Sequence, residues 1–440
     1  MFLKKKTFNN TIIGKFYFFL ILFLPGSIII GNFALNINVI LIDAIFLLFI
    51  FKITDLKLFF NKKNLLYIFI INLVLFLLVL NLINSSDPYL SLTSFLGLIR
   101  YLILLIALVY FFSEDQNNIY KFSLTIFCFL AFVIIDTLFQ YIFGKDFFGF
   151  EINEWMGGRL SGPFGDELVV GSYIGKLFCL SLIFLIIKNN NRLLKLIFLF
   201  LLILMVSTVF LTLERSATIL VFFSTLFILF FLKFFSVKDK ILIFISFLLI
   251  SSLIISFNKN VYNNLIIRTA EQLSFKQSNL THEKNFTSIM DNQWAAHFLT
   301  AYEIFLDNKF LGSGIKTFRV VCGNEKYSKI KSKNRLNRCN THPHNLYLEF
   351  LSELGLLITF LIVTSLFFLL IKNIQQLLIS VKNKGYYDQL ILSLGNLFVL
   401  FFPLQTSGAF FSTFNGVFYW IGLSFNIYLI FFYKAKKVKK

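Results

Sequence analysis

The stretch THPHNLYLEFLSELGLLITFLIVTSLFFLLI, residues 341–371, holds two messages. It opens with a short polar segment in which His342 and His344 flank Pro343. From Asn345 onward it is mostly apolar for longer than the roughly 20 residues that a bilayer crossing requires. The rest of the chain repeats the second message. Apolar runs of similar length fall at 14–31, 33–52, 64–84, 92–112, 120–143, 167–187, 193–212, 216–235, 240–257, 345–371, 388–405 and 412–433. Composition agrees: 58% of the 440 residues are hydrophobic, 62 of them Phe, and only 14% are charged. A soluble chain carries about a quarter charged residues, so no soluble core hides this much apolar surface. The expected fold is an all-α polytopic membrane protein with about 12 transmembrane helices.

The net charge of +19 reads as topology rather than as nucleic-acid binding, because the lysines cluster between apolar runs. With the N-terminus in the cytoplasm, the cytoplasmic connections carry Lys52, Lys57, Lys62 and Lys63, then Lys121, then Lys188, Arg192 and Lys195. Lys233, Lys238, Lys240, Lys372, Lys382 and Lys384 follow, and the tail adds Lys434, Lys436, Lys437, Lys439 and Lys440. The short outer connections are nearly free of base. This asymmetry predicts both termini inside a bacterial inner membrane. Lys4, Lys5 and Lys6 before the first apolar run resemble a secretory signal, but no small-residue cleavage site follows, so that run is expected to stay as the first span.

Three regions follow: 1–257 with nine spans and a short outer loop at 144–167; 258–344, a long outer lid loop; and 345–440, three spans and a basic tail. The stretch 258–345 holds 13 of the 41 basic residues and six acids. Either it is a solvated surface or it meets an anionic ligand. From Asn292 to Leu306, Trp294, Phe298, Ala301, Tyr302 and Phe305 fall at helical spacing, and Leu311-Gly312-Ser313-Gly314 ends that helix. Cys322 and Cys339 in the same loop favour a disulfide on the oxidising side of the membrane.

All four His (His282, His297, His342 and His344) fall in this loop. Pro343 fixes the backbone and Asn345 is a strong helix cap. Two readings stand: a cap with two solvated imidazoles, or a fixed neutral His able to accept a proton, disfavoured as imidazolium by the positive helix end. Glu349 and Glu353 lie one and two turns further on, where a carboxylate orients a His or a sugar hydroxyl, or pairs with a base. Arg159 and Arg215 lie at outer connections, and Arg binds phosphate oxygens bidentately. The plain alternatives are snorkelling for each and a local Glu214–Arg215 ion pair. Asp136, Arg100 and Lys176, inside spans, give some support to a transporter or flippase. No residue spacing suggests a metal site, and no cofactor motif is present.

The run Thr341-His342-Pro343-His344-Asn345-Leu346-Tyr347-Leu348-Glu349-Phe350-Leu351-Ser352-Glu353-Leu354-Gly355 resembles the signature of the O-antigen ligase/polymerase superfamily. Arg159-Leu160-Ser161-Gly162-Pro163-Phe164, Glu214-Arg215-Ser216-Ala217 and Leu311-Gly312-Ser313-Gly314-Ile315-Lys316-Thr317-Phe318 resemble its supporting segments. The resemblance implies a metal-independent glycosyltransferase that takes a glycan from an undecaprenyl-diphosphate donor at the periplasmic face. The acceptor would be a sugar hydroxyl of lipid A-core, or a second lipid-linked glycan in a polymerase. His344 would be the base, with His342 and Asn345 positioning the site, and Arg215 with Arg159 would hold the diphosphate. Family members often carry Arg three residues before the lid-helix Trp. Here Asp291 precedes Trp294, which leaves Arg268 and Arg319 as candidate replacements.

Overall fold

A computed structural model of the chain describes residues 11–53, 65–188, 192–272, 292–332, 334–406 and 409–433. His282, Asp291, the N-terminal lysines and the basic tail lie outside them. Among the described residues the fold is helical, with two isolated β-bridges and no strand. The first group of helices comprises α1 (Ile12–Ile30), α2 (Asn32–Ile53), α3 (Leu65–Ile83), α4 (Pro88–Glu114) and α5 (Asn117–Phe143). Then come α6 (Val170–Ser181), α7 (Ile183–Lys188), α8 (Arg192–Leu211), α9 (Arg215–Phe231) and α10 (Val237–Phe257). The long loop contributes α11 (Lys259–Val261), α12 (Arg268–Gln272), α13 (Gln293–Asp307) and α14 (Phe318–Val321). The chain ends with α15 (Leu346–Ile379), α16 (Lys384–Phe401) and α17 (Thr413–Ile427).

Nine of the described helical stretches are long and apolar enough to cross a membrane. The remaining three expected spans hold α3, α9 and α16. The protein is an all-α polytopic membrane protein. The α6 helix and α17 form its almost wholly buried centre, while α10 and most of α15 leave apolar side chains facing outward, as lipid contact requires.

Among the described residues two spans are broken, and each break is repaired by hydrogen bonds from elsewhere. Between α6 and α7, Ser123 Oγ donates to Leu180 O (2.6 Å) and accepts from Phe184 N (2.9 Å). The second break governs the site. Gly355 interrupts α15 with a left-handed φ of 74°. The freed backbone groups pair with the segment that follows α13. Ser313 N donates to Ser352 O (2.9 Å), Gly314 N to Glu353 O (3.0 Å), and Leu356 N to Lys309 O (2.7 Å). Asn81 of α3 closes the junction, donating to Leu311 O (2.5 Å) and Glu353 O (2.7 Å). The lid is therefore sewn into the start of α15. A small core of Ala301, Ile304, Phe318, Val321 and Tyr327 packs beneath it against Leu348, beside the disulfide Cys322–Cys339.

The 144–167 loop is also tied down. Gln140 Oε1 accepts from Ser161 N (3.0 Å) and Gly162 N (2.9 Å), while Asp136 Oδ1 accepts from Phe147 N (2.9 Å). Asp136 is thus an anchor for the hairpin. The other ionisable groups noted inside spans also have local partners. Arg100 donates to Asn36 Oδ1 (2.8 Å) and Lys176 donates to Asn415 Oδ1.

A Cβ on Gly355 would overlap the backbone of Phe310 and Gly312. Gly355→Ala is expected to cost roughly 2–3 kcal/mol through strain and the lost junction. Gly97→Ala, with nothing within 4 Å of the added carbon, should be neutral or stabilising. Thermal melts of the two detergent-solubilised variants check this; equal midpoints would refute the role given to the break.

Candidate active site

The site begins at the N-terminus of α15. Asn345 Oδ1 accepts from Tyr347 N and Leu348 N (both 3.1 Å), capping the helix. Its Nδ2 donates to Pro403 O (2.8 Å), and Tyr347 Oη donates to Phe401 O (2.8 Å). Both bonds staple the helix start to the 401–406 connection. His344, the residue before the cap, has a left-handed φ of 58°. The backbone of Thr406 lies close enough to the ring to favour its protonated form, against the larger effect of burial. Nε2 is buried without a protein hydrogen-bond partner.

Three imidazoles and an indole gather here. The ring centroid of His342 lies 4.1 Å from that of His344, His297 stacks on His344 at 5.2 Å, and Trp294 meets it edge-on at 4.6 Å. His342 Nδ1 lies 3.0 Å from Thr341 Oγ1, and its Nε2 is also buried without a protein partner. Burial pushes the proton affinity of His344 down to about 3, helped by the neighbouring His342 and His297. Burial likewise lowers His342 to about 4, with the charges of Arg319, His297 and Lys176 adding to it. His297 is lowered too, by burial first. The cluster is neutral at pH 7. Burial and crowding of like groups are the main causes, where the sequence had pointed to the helix end.

On the far side of Trp294 lies a cavity of about 320 Å³. Arg159, Arg215, Trp294 and Thr406 line it, and Leu213, Ile219, Phe402 and Leu404 make its mouth apolar. Trp294 and Thr406 therefore belong both to the histidine cluster and to the arginine cavity. Arg215 opens α9, and Arg268 and Arg159 are the charges that act on it, in that order. Arg268 donates to Asn264 Oδ1 (2.8 Å), and Arg159 donates to Leu168 O (2.9 Å). Glu214 points its carboxylate at the start of α6, accepting from Gly171 N (2.6 Å), Ser172 N (3.0 Å) and Ser172 Oγ (2.9 Å). Arg159 and Arg215 line the cavity, and the charge of Arg268 adds to theirs from outside its lining, which makes a site for an anion.

The structure separates the remaining candidates. Arg319 is exposed and acts on His342 rather than on the arginine cavity. Glu349, expected among the substrate ligands, is buried and does not line the cavity. It accepts from Phe410 N (2.9 Å), and so fastens α15 to the turn before α17. Glu353 does the same work one turn later, accepting from Lys316 N (2.7 Å) and Phe318 N (3.1 Å). Asn345 acts through the backbone it holds. Sequence reasoning gave no role to His297 or Thr406. His297 had one signal, its i+3 spacing from Trp294 on the predicted lid helix. Thr406 acts through its main chain and had none.

Because the folded cluster refuses protons that an unfolded His, titrating near 6.5, would take up, stability falls as pH drops from about 6.5 toward 4. Thermal midpoints across that window should decline. Nitrogen NMR of labelled histidines should show His342 and His344 neutral down to pH 5; titration of both near 6.5 would contradict the geometry.

A sequence model of the O-antigen ligase family aligns with residues 200–363. That segment contains Arg215, Arg268, Trp294, His297, His342 and His344, while Arg159 lies outside it. No curated protein matches the chain. The segment that carries the histidine cluster together with Arg215 and Arg268 is thus similar to the O-antigen ligase family.

Proposed function

We propose that the protein is an O-antigen ligase-type glycosyltransferase. It moves a glycan from a lipid-diphosphate carrier, undecaprenyl diphosphate, to a sugar hydroxyl of lipid A-core at the periplasmic face of the inner membrane. The observation that carries this reading is the junction at Trp294 and Thr406, where a neutral imidazole adjoins a cavity lined by Arg159 and Arg215 with apolar residues beside them. Such a cavity suits a diphosphate on a prenyl chain. The positive charge that this chemistry needs is supplied by side chains.

In the proposed step, His344 Nε2 takes the proton of the acceptor hydroxyl as its oxygen attacks the anomeric carbon. The bond from that carbon to the diphosphate oxygen breaks, the configuration inverts, and Arg215, Arg159 and Arg268 hold the charge that gathers on the leaving group. An imidazole with an affinity near 3 is a weak base in the empty protein. The donor itself corrects this, because a diphosphate beside Trp294 brings negative charge close to His344 and raises its affinity. Base strength is then tied to the presence of donor, which protects the site from idle proton transfer.

Purified protein given an undecaprenyl-diphosphate glycan and lipid A-core should transfer glycan. His344→Asn, which tolerates the left-handed backbone, should lose about 10²–10⁴-fold in rate at an unchanged level in the membrane. Transfer that survives this change would remove His344 as the base.

The pH profile carries a second test. The acid limb of kcat/KM reports the free enzyme and should lie near pH 3 to 4, while the limb of kcat reports the donor complex and should lie at higher pH. Coincident limbs would refute activation by the donor.

A further inference from the structure

A base that takes a proton in every cycle has to lose it before the next, and His344 Nε2 is shut off from solvent. The way out does not run through Trp294, whose indole nitrogen donates but accepts nothing. Nor does it run through His297. That ring lies nearly parallel to His344, with 25° between the planes, so the in-plane lone pairs of the two do not face each other. His297 is also buried in α13, and its Nδ1 has no partner to pass a proton to.

His342 differs on each point. Its ring centroid lies 4.1 Å from that of His344 with the planes at 47°, and Nε2 of both rings lacks a protein partner, so a rotation about χ2 of either side chain closes the gap. Its other nitrogen, Nδ1, lies 3.0 Å from Thr341 Oγ1, and Thr341 is exposed. Pro343 between the two histidines fixes their spacing and, having no N–H, offers neither ring a competing donor. Buried at one nitrogen and joined to the surface at the other, His342 spans the boundary between the site and water. Charge favours passage in the same direction. His342 binds a proton more readily than His344 does, at about 4 against about 3, so the step between them runs downhill. It still holds that proton weakly. Burial opposes its charged form first, and then Arg319 on the exposed lid, His297 on α13 and Lys176 of α6 oppose it too.

We infer that His342 and Thr341 form the exit path for the proton that His344 collects, a relay that restores the base after each transfer. The inference rests on the transferase reading. The hydroxyl proton becomes an N–H at His344 Nε2 as the acceptor oxygen bonds to the anomeric carbon. It then passes to the lone pair of His342 Nε2, and His344 is free again. A proton leaves His342 Nδ1 for the Thr341 oxygen, which gives up its own to water. His342 is left neutral with its proton on Nε2. Its ring then turns toward solvent, where water moves the proton back to Nδ1. One proton has gone from the acceptor to bulk water, and no electron has been transferred.

Nitrogen NMR of the full chain with labelled histidines, in phosphatidylcholine nanodiscs, measures how fast the imidazole of His344 exchanges its proton with water. This does not depend on transfer. His342→Gln should slow that exchange about 10²-fold, the low end of what a placed proton-transfer group contributes. Thr341→Val keeps the shape of an exposed side chain and removes its hydroxyl. It should slow exchange less, since water reaches Nδ1 in its place, and it keeps the relay testable if the first variant misfolds. No slowing in either variant would overturn the relay, the proton then leaving with the diphosphate. Rapid mixing with undecaprenyl-diphosphate glycan and lipid A-core supplies the second measurement. In His342→Gln, later turnovers should slow about tenfold more than the first, and imidazole added to the buffer should restore them. Equal slowing of first and later turnovers, without rescue, would make His342 a packing residue and overturn the relay. If wild-type protein transfers nothing, the transferase reading fails, and the exchange rates alone decide whether His342 joins His344 to water.

Discussion

Everything at the site depends on how the chain satisfies a broken helix at membrane depth. Lipid offers no hydrogen bonds, so a span cannot break unless protein supplies partners for the freed amides and carbonyls. At Gly355 the partners come from residues 309–314, which pair with 352–356 backbone to backbone. That pairing pulls the end of the lid into the bundle and sets α13 over the start of α15. Trp294 and His297, carried by α13, come to rest on His344 for this reason. Two buried carboxylates, Glu349 and Glu353, fasten the same short helical segment to backbone amides on either side.

Electrostatics then divides the site into two compartments. Packing three imidazoles together in a buried space keeps them uncharged. Arg159 and Arg215 a short way off, with the charge of Arg268 acting on Arg215, produce the opposite, a positive field that suits an anion. Trp294 separates the two without insulating them. A bound anion would offset the repulsion among the arginines and the reluctance of the histidines to ionise in one event.

The spans were legible because lipid imposes a simple rule on composition, and each of the twelve apolar runs holds a helix. The lid helix was legible from Trp294, Phe298, Ala301, Tyr302 and Phe305 at helical spacing, and it runs from Gln293 to Asp307. The motif residues His342, His344 and Arg215 stood out because polar groups are scarce in this chain. The break at Gly355 did not, since a single glycine in an apolar run reads equally well as a packing residue. Glu349 looked like a ligand because a carboxylate near a span end is costly; its partner at Phe410 is 61 residues away and is a main-chain amide. Contacts of that kind leave no mark in a local pattern, and His344 on Thr406 is another.

Asn81 shows what such long-range closure entails for a chain made from one end to the other. Its side chain is wholly buried and reaches Leu311 and Glu353, 230 and 272 residues further along. While the ribosome is still producing the intervening spans, this amide has none of its final partners. The third span must wait, its polar group served by water or headgroups, until the tenth has been inserted. The proposed site therefore comes into being late and all at once, and a truncated product would hold the arginines of α9 and α12 without the histidines of residues 342–344.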